Sequence, residues 1–345
     1  MSVITIVGAG MMGSAMTYPA MSNSNEVRLV GTPLDREIIE GAKKNDYHIT
    51  LKRTLPKGIR YYQSEELDKA LQGADLLISG VSSFGVEWFL NNVLTVIPQE
   101  LPVLSVTKGM IVEPDGTLVT YPHWYQRQLV GKRLSINAVG GPCTSYELAD
   151  HDPTQVCFCG PDIGLLRILR RMFNTDYYHV SLSTDVTGVE CSVAMKNAYA
   201  LGVTLAIGLS ERKDGKEHYN SQAALFGQSV REMRRLLRLV GGSDESIVFG
   251  AGDLYVTVFG GRTRMIGILL GQGLSFEGAT AKLNGVTLES VVISTRTAQA
   301  IKRMAARGAA LEEDFPLLMH IDQILNQKIP VRIPWDRFEV ELRAY

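Results

Sequence analysis

Lys196 is the only charged residue in the twenty-residue run from Cys191 to Ser210. Burying an ammonium in a helix-forming apolar stretch is costly unless a carboxylate, phosphate or polar cluster meets it. Such a lysine either runs its aliphatic stem out to solvent or works as a proton donor and acceptor. Asn197 follows it directly, and three other segments read as too polar and glycine-rich to be packing units. They are Ser105 to Gly109 around Lys108, Gly140 to Glu147, and Gly250 to Arg262. Lys108 immediately follows an expected strand, and ligands of open α/β sheets gather beyond the carboxyl ends of strands. Its bland reading is an exposed turn lysine.

A second pattern lies at the start of the chain, where Val3-Ile4-Thr5-Ile6-Val7 runs into Gly8-Ala9-Gly10-Met11-Met12-Gly13. A G-x-G-x-x-G set between a strand and a helix is a dinucleotide fingerprint. Gly8 would make the tight turn, Gly10 would let the backbone approach a pyrophosphate, and Gly13 would let the helix close on the sheet. The helix N-terminus adds free N–H groups for the phosphates. The second strand ends Val30-Gly31-Thr32-Pro33, with no acid placed to receive a ribose 2′-hydroxyl; Asp35 comes three residues after Thr32 and could simply open the next helix. With Arg36 beside it, this loop accepts NAD or NADP as cofactor.

These residues need a scaffold. At 345 residues the chain exceeds what one core usually serves, so two domains are expected. The first half alternates β-branched runs with helical stretches, the pattern of a parallel sheet covered by helices. Strands are expected at 3–7, 27–30, 76–80, 103–105, 135–139, 155–159 and 177–181, with helices starting near Met11, Asp35, Glu65, Gly85, Pro122 and Gly164. Pro19 should kink or shorten the first helix. After Ser183 helical patterns take over, at 185–207, 220–240, 286–307 and 315–326. The reading is an α/β, Rossmann-like doubly wound domain over 1–183 followed by an all-helical domain over 184–345.

Composition narrows the partners. The chain is 45% hydrophobic and 21% charged, with a formal net charge of −1 and scattered basic residues. That leaves no electrostatic footprint for nucleic acid. Met1 leads straight into an apolar strand without a basic n-region, and the most apolar segment, 201–209, reads as too short to cross a bilayer. Four cysteines without a C-x-x-C pair and six scattered histidines suggest reduced thiols and no metal. A cytoplasmic protein with a small-molecule partner is expected.

Taken together and in order, the motifs resemble those of the soluble NAD(P)-dependent glycerol-3-phosphate dehydrogenases. The resemblance runs from the glycine fingerprint through Thr107-Lys108-Gly109, Gly141-Pro142, Gly188-Val189-Glu190, Lys196-Asn197 and Gly252-Asp253-Leu254 to Gly260-Gly261-Arg262. It implies hydride transfer between NAD(P)H and dihydroxyacetone phosphate, with Lys196 as proton donor and acceptor and Lys108 and Asp253 beside it. It places Gly141, Cys143, Asn197, Thr257, Arg262 and Thr263 on the phosphorylated substrate. It places Gly8, Gly10, Met11, Met12, Gly13, Thr32, Phe84, Lys108, Ser145, Arg262 and Glu289 on the cofactor. It also implies a homodimer and a role in supplying glycerol phosphate for phospholipids.

Three residues depart from the family pattern: Thr263 where asparagine follows the arginine, Cys143 in place of a serine, and Ser290 in place of a glycine. They leave room for a different phosphorylated ketose or polyol. A non-catalytic nucleotide sensor is the other alternative, since fold alone does not establish activity.

Overall fold

The computed structural model describes residues 1–283 and 288–341. The strands are β1 (Val3–Val7), β2 (Glu26–Val30), β3 (Tyr47–His48), β4 (Arg53–Thr54), β5 (Arg60–Tyr62), β6 (Leu76–Ser79), β7 (Val103–Ser105), β8 (Met110–Val112), β9 (Leu118–Thr120), β10 (Ile136–Gly140), β11 (Thr154–Cys159) and β12 (Tyr178–Ser183). The helices of the first half are α1 (Met11–Ala15), α2 (Thr17–Ser22), α3 (Arg36–Asn45), α4 (Leu67–Leu71), α5 (Val86–Phe89), α6 (Tyr121–Gln128), α7 (Ser145–Ala149) and α8 (Ile163–Phe173). Those that follow are α9 (Val186–Ala194), α10 (Lys196–Asp214), α11 (Tyr219–Leu239), α12 (Ile247–Val258), α13 (Gly261–Gly271), α14 (Phe276–Lys282), α15 (Glu289–Ala306) and α16 (Pro316–Asn326).

Two compact units result, one from Met1–Gly109 with Thr120–Glu190, the other from Met110–Val119 with the described part of Cys191–Tyr345. The first holds an eight-stranded sheet in the order β12-β11-β10-β7-β6-β1-β2-β5, parallel throughout except where β10 meets β11. Its central strands are buried on both faces, which is why they read as continuous apolar runs. Strand order reverses about β1, so the crevice beyond β1 and β6 is the topological switch point at which ligands of such sheets bind. The expected strands are all present, with ends moved by one or two residues. The short pair β3–β4 and the edge strand β5 are additions that their few polar residues hid.

Pro19 acts as anticipated. Proline cannot donate to the carbonyl four residues back and collides with it, and the helical stretch is divided at Met16 into α1 and α2.

The second unit is built around α10, twelve of whose nineteen residues are buried, and which packs against α11, α12, α13, α15 and α16. The approach to α13 is backbone against backbone. A Cβ on Gly208 would fall 2.1 Å from the Ile268 carbonyl oxygen, and one on Gly271 would fall 2.3 Å from that of Leu205. The helix expected over 185–207 is instead α9 and α10, interrupted at Met195.

Two expectations are corrected here. The segment from Gly250, read as too polar and glycine-rich to be a packing unit, does pack: α12 covers its first nine residues, and a Cβ on Gly250 would lie 2.6 Å from Ser192. The apolar helical stretch, α9 and α10 taken together, is also longer than the sequence suggested. Val186–Asp214 is long and apolar enough to span a membrane by length and composition, although 83% of its most apolar window is buried inside the protein. Part of the expected helix over 286–307 lies outside the described residues; α15 covers the rest. None of the four cysteines is in a disulfide.

Candidate active site

The first unit closes β1 with a glycine turn. Gly8 has φ +109°, its N–H donates to Val30 O at 2.9 Å, and a Cβ there would lie 2.6 Å from the Gly80 backbone. A Cβ on Gly13 would meet the Gly8 carbonyl oxygen at 2.1 Å, whereas one on Gly10 would meet nothing within 4 Å. Two of the glycines are therefore needed for packing, and the third opens on empty space. Met11 and Met12, half-buried at the start of α1, place their side chains against the apolar core.

A cavity of about 410 Å³ continues from this turn, lined by Gly8, Gly10, Thr32, Asp35, Phe84 and Trp88 among others. Asp35 fixes its wall: Oδ2 accepts from Ala9 N at 3.1 Å, Thr32 N at 2.9 Å and Thr32 Oγ1 at 2.8 Å. Its side chain makes no cap bond to α3. Buried His48 braces the same turn, with Nε2 donating to Ala9 O at 2.8 Å while Nδ1 accepts from Leu51 N at 2.9 Å. Arg36 pairs with Glu65. Sequence reasoning passed over His48, whose neighbours carry no motif. The clamping role of Asp35 has a local signal, an acid three residues after a loop threonine whose carboxylate reaches back to that threonine's N–H, as in the backward bond of a capping box.

At the carboxyl ends of β7 and β10, Lys108 donates from Nζ to Gly141 O at 2.8 Å. Gly141 has φ +119°, which favours glycine at this bend. Cys143 Sγ makes a weak 4.0 Å contact with Thr144 O, and Ser145 is buried as the first residue of α7, which Thr144 caps through Glu147 N.

In the second unit Lys196 opens α10, and its Nζ lies 2.7 Å from Asp253 Oδ1 on α12. The lysine side chain keeps 18% of its surface exposed and that of Asp253 none. Thr257 Oγ1 donates to Asp253 O at 2.6 Å, one turn back. Asn197 is held from two sides, its Oδ1 accepting from Thr263 Oγ1 at 3.5 Å and its Nδ2 donating to Glu289 Oε2 at 3.4 Å. Arg262 is exposed in the first turn of α13, directly after Gly261 at φ +77°. Ser290 is fully buried with no partner for its hydroxyl among the described residues.

The family models described as NAD-dependent glycerol-3-phosphate dehydrogenase N-terminus and C-terminus match residues 3–163 and 185–335. The chain belongs to this family. It is 32% identical over 333 residues to an NADP(+)-dependent glycerol-3-phosphate dehydrogenase of Archaeoglobus fulgidus, covering 95% of this chain and 96% of the relative. It is 29% identical to a glycerol-3-phosphate dehydrogenase [NAD(P)+] of Oleidesulfovibrio alaskensis, covering 94% and 93%. Among solved structures, the fold is shared with the glycerol-3-phosphate dehydrogenase of Plasmodium falciparum (TM-score 0.84, 19% identity, coverage 100% and 97%). It is also shared with that of Saccharomyces cerevisiae (TM-score 0.83, 19% identity, coverage 98% and 99%). Membership fits the two-part scaffold, and the glycine turn with open space above Gly10 fits the dinucleotide the family uses.

Proposed function

We propose that the protein reduces dihydroxyacetone phosphate to sn-glycerol 3-phosphate, reversibly, at the expense of NADH or NADPH. The observation that carries this reading is the Lys196–Asp253 pair, a buried carboxylate holding the ammonium of a lysine whose side chain is only partly buried.

The glycine turn, Thr32 and Phe84 would hold the dinucleotide, with the free N–H groups of α1 toward its phosphates. Ser145 and Glu289 belong to the same cofactor reading by resemblance to the family. When bound, the nicotinamide supplies a hydride to the carbonyl carbon. The chain's part is to manage the oxygen. As negative charge develops there, Lys196 stabilises it and passes a proton from Nζ, so that the oxygen becomes the hydroxyl of the product while its bond to carbon is kept. Asp253 fixes Nζ at 2.7 Å and offsets its charge between turnovers. The exposed part of the lysine allows the proton to be replaced from water. In the reverse direction Lys196 receives the hydroxyl proton.

Lys108, anchored on Gly141, adds positive charge toward the anionic substrate. Arg262, exposed at the start of α13, suits the phosphate because its planar fork gives parallel donors. Asn197, clamped by Thr263 and Glu289, presents a fixed amide to the substrate hydroxyls. The Thr263 hydroxyl, 3.5 Å from Asn197 Oδ1, keeps a donor within the site at this departure from asparagine.

Both cofactor forms are compatible with the loop after β2, where Asp35 is occupied with backbone and Arg36 with Glu65. A cytoplasmic location, a homodimeric state and the supply of glycerol phosphate for phospholipids belong to the same proposal. Oxidation of NADPH and of NADH by purified protein, with and without dihydroxyacetone phosphate, tests it. Substrate-dependent oxidation is expected, and its absence despite cofactor binding would reject the reading.

A further inference from the structure

Glu190 takes no part in the chemistry above, yet its surroundings are unusual for a carboxyl group. It lies on α9 with 0% exposure, and neither carboxyl oxygen has a hydrogen-bond partner among the described residues. Native proteins pair nearly all buried polar atoms, so one left unpaired calls for a reason. The titratable groups near enough to interact with its charge are Lys108 beyond β7, Tyr125 on α6, and Cys159 at the end of β11, a thiol that also interacts with Asp185. Lys108 donates to Gly141 O, and the Glu190 oxygens have no hydrogen bond among the described residues.

We propose that Glu190 is a positioning residue acting through Lys108: as a neutral acid it leaves that ammonium its full charge, and as a carboxylate it cancels part of it. The inference rests on the reading of Lys108 as a substrate-side cation. Burial pushes the carboxyl up to about 8, and the lysine charge only partly opposes this. Below that pH the acid is silent. Above it, a negative charge in a poorly solvated place weakens the attraction that Lys108 offers to an anionic substrate.

The test is the pH dependence of kcat/KM for dihydroxyacetone phosphate in wild type, Glu190→Gln and Glu190→Met. Lys196 can contribute an alkaline limb to all three, so the informative quantity is the ratio of variant to wild type. That ratio is expected to be flat on the acid side and to rise by roughly threefold or more through a midpoint near about 8. A ratio independent of pH means a merely structural role and overturns the proposal. Failure of both variants to fold would also count against it, because a neutral, unpaired carboxyl should tolerate replacement by a neutral side chain of similar size. Lys108→Met separates the two readings. If that change leaves kcat/KM intact, the assignment of Lys108 fails and the proposal with it. If Lys108→Met is impaired and the Glu190 ratio stays flat, only the Glu190 inference falls. In the Lys108→Met background the Glu190→Gln ratio should lose its pH dependence.

Discussion

Asp253 Oδ1 stands 2.7 Å from Lys196 Nζ, the aspartate side chain wholly buried and that of the lysine partly exposed. The asymmetry matters. A buried carboxylate is held in place by its surroundings, so the position of the lysine is set from within the helical unit.

Replacing Asp253 with asparagine keeps the shape and removes the charge. The ammonium then loses its counter-ion, and the amide presents either an oxygen or an NH2 group to it. Steady-state kinetics of Asp253→Asn should give a kcat about 10- to 100-fold below wild type with cofactor KM little changed. A loss confined to cofactor KM would contradict the pairing.

The three glycines of the turn should respond differently to a methyl group. Gly10→Ala meets no protein atom within 4 Å, so it should fold normally while weakening cofactor binding by roughly tenfold or more, through obstruction of the pyrophosphate. Gly13→Ala drives its Cβ to 2.1 Å from Gly8 O and should lower stability by about 1–3 kcal/mol. Urea unfolding together with fluorescence titration of NADPH distinguishes the two effects.

The Thr263 hydroxyl orients Asn197, so Thr263→Val, which keeps the shape, should raise KM for dihydroxyacetone phosphate by about threefold to tenfold. Thr263→Ser should recover most of the loss. An unaltered KM in the valine variant would remove Thr263 from the site.

A pH effect on stability follows from Glu232, which is fully buried in the helical unit. Its oxygens accept from Leu317 N, Leu318 N, Tyr199 OH and Gln228 Nε2 at 2.8–3.1 Å. Burial nevertheless outweighs these donors and raises the carboxyl from 4.5 to about 7. Between those values the unfolded chain has lost the proton that the folded one keeps, so stability falls as pH rises through the window. The slope contributed by this group is at most about 1.4 kcal/mol per pH unit. Glu232→Gln should flatten that part of the curve in urea unfolding at a series of pH values, while lowering stability overall through mismatched hydrogen bonds. A slope as steep as in wild type would contradict the assignment.

Much of this was legible because some residues carry local signals. A five-residue β-branched run before G-x-G-x-x-G defines β1 and its turn by pattern alone, and a single charge in an apolar helix draws attention to Lys196. Other features depend on tertiary contact. Gly250 in α12 argues against a helix by propensity, and only the close approach of Ser192 explains it. The β8–β9 pair was missed although its turn, Pro114-Asp115-Gly116 with Gly116 at φ +91°, is a recognisable signal. That this hairpin joins the helical unit could not be read from its own residues, since it depends on Met110 and Leu118 finding places in a core formed by later helices. The environment of Glu190 was equally hidden, because sequence does not report which polar atoms lack partners.

The central claim is that Lys196 moves the proton in reduction of dihydroxyacetone phosphate, and the most direct measurement follows NADPH and NADH absorbance with wild type beside Lys196→Met. The account predicts substrate-dependent oxidation by wild type, and a folded, cofactor-binding variant slowed by about 100-fold or more. A Lys196→Met protein that retains wild-type kcat would contradict it.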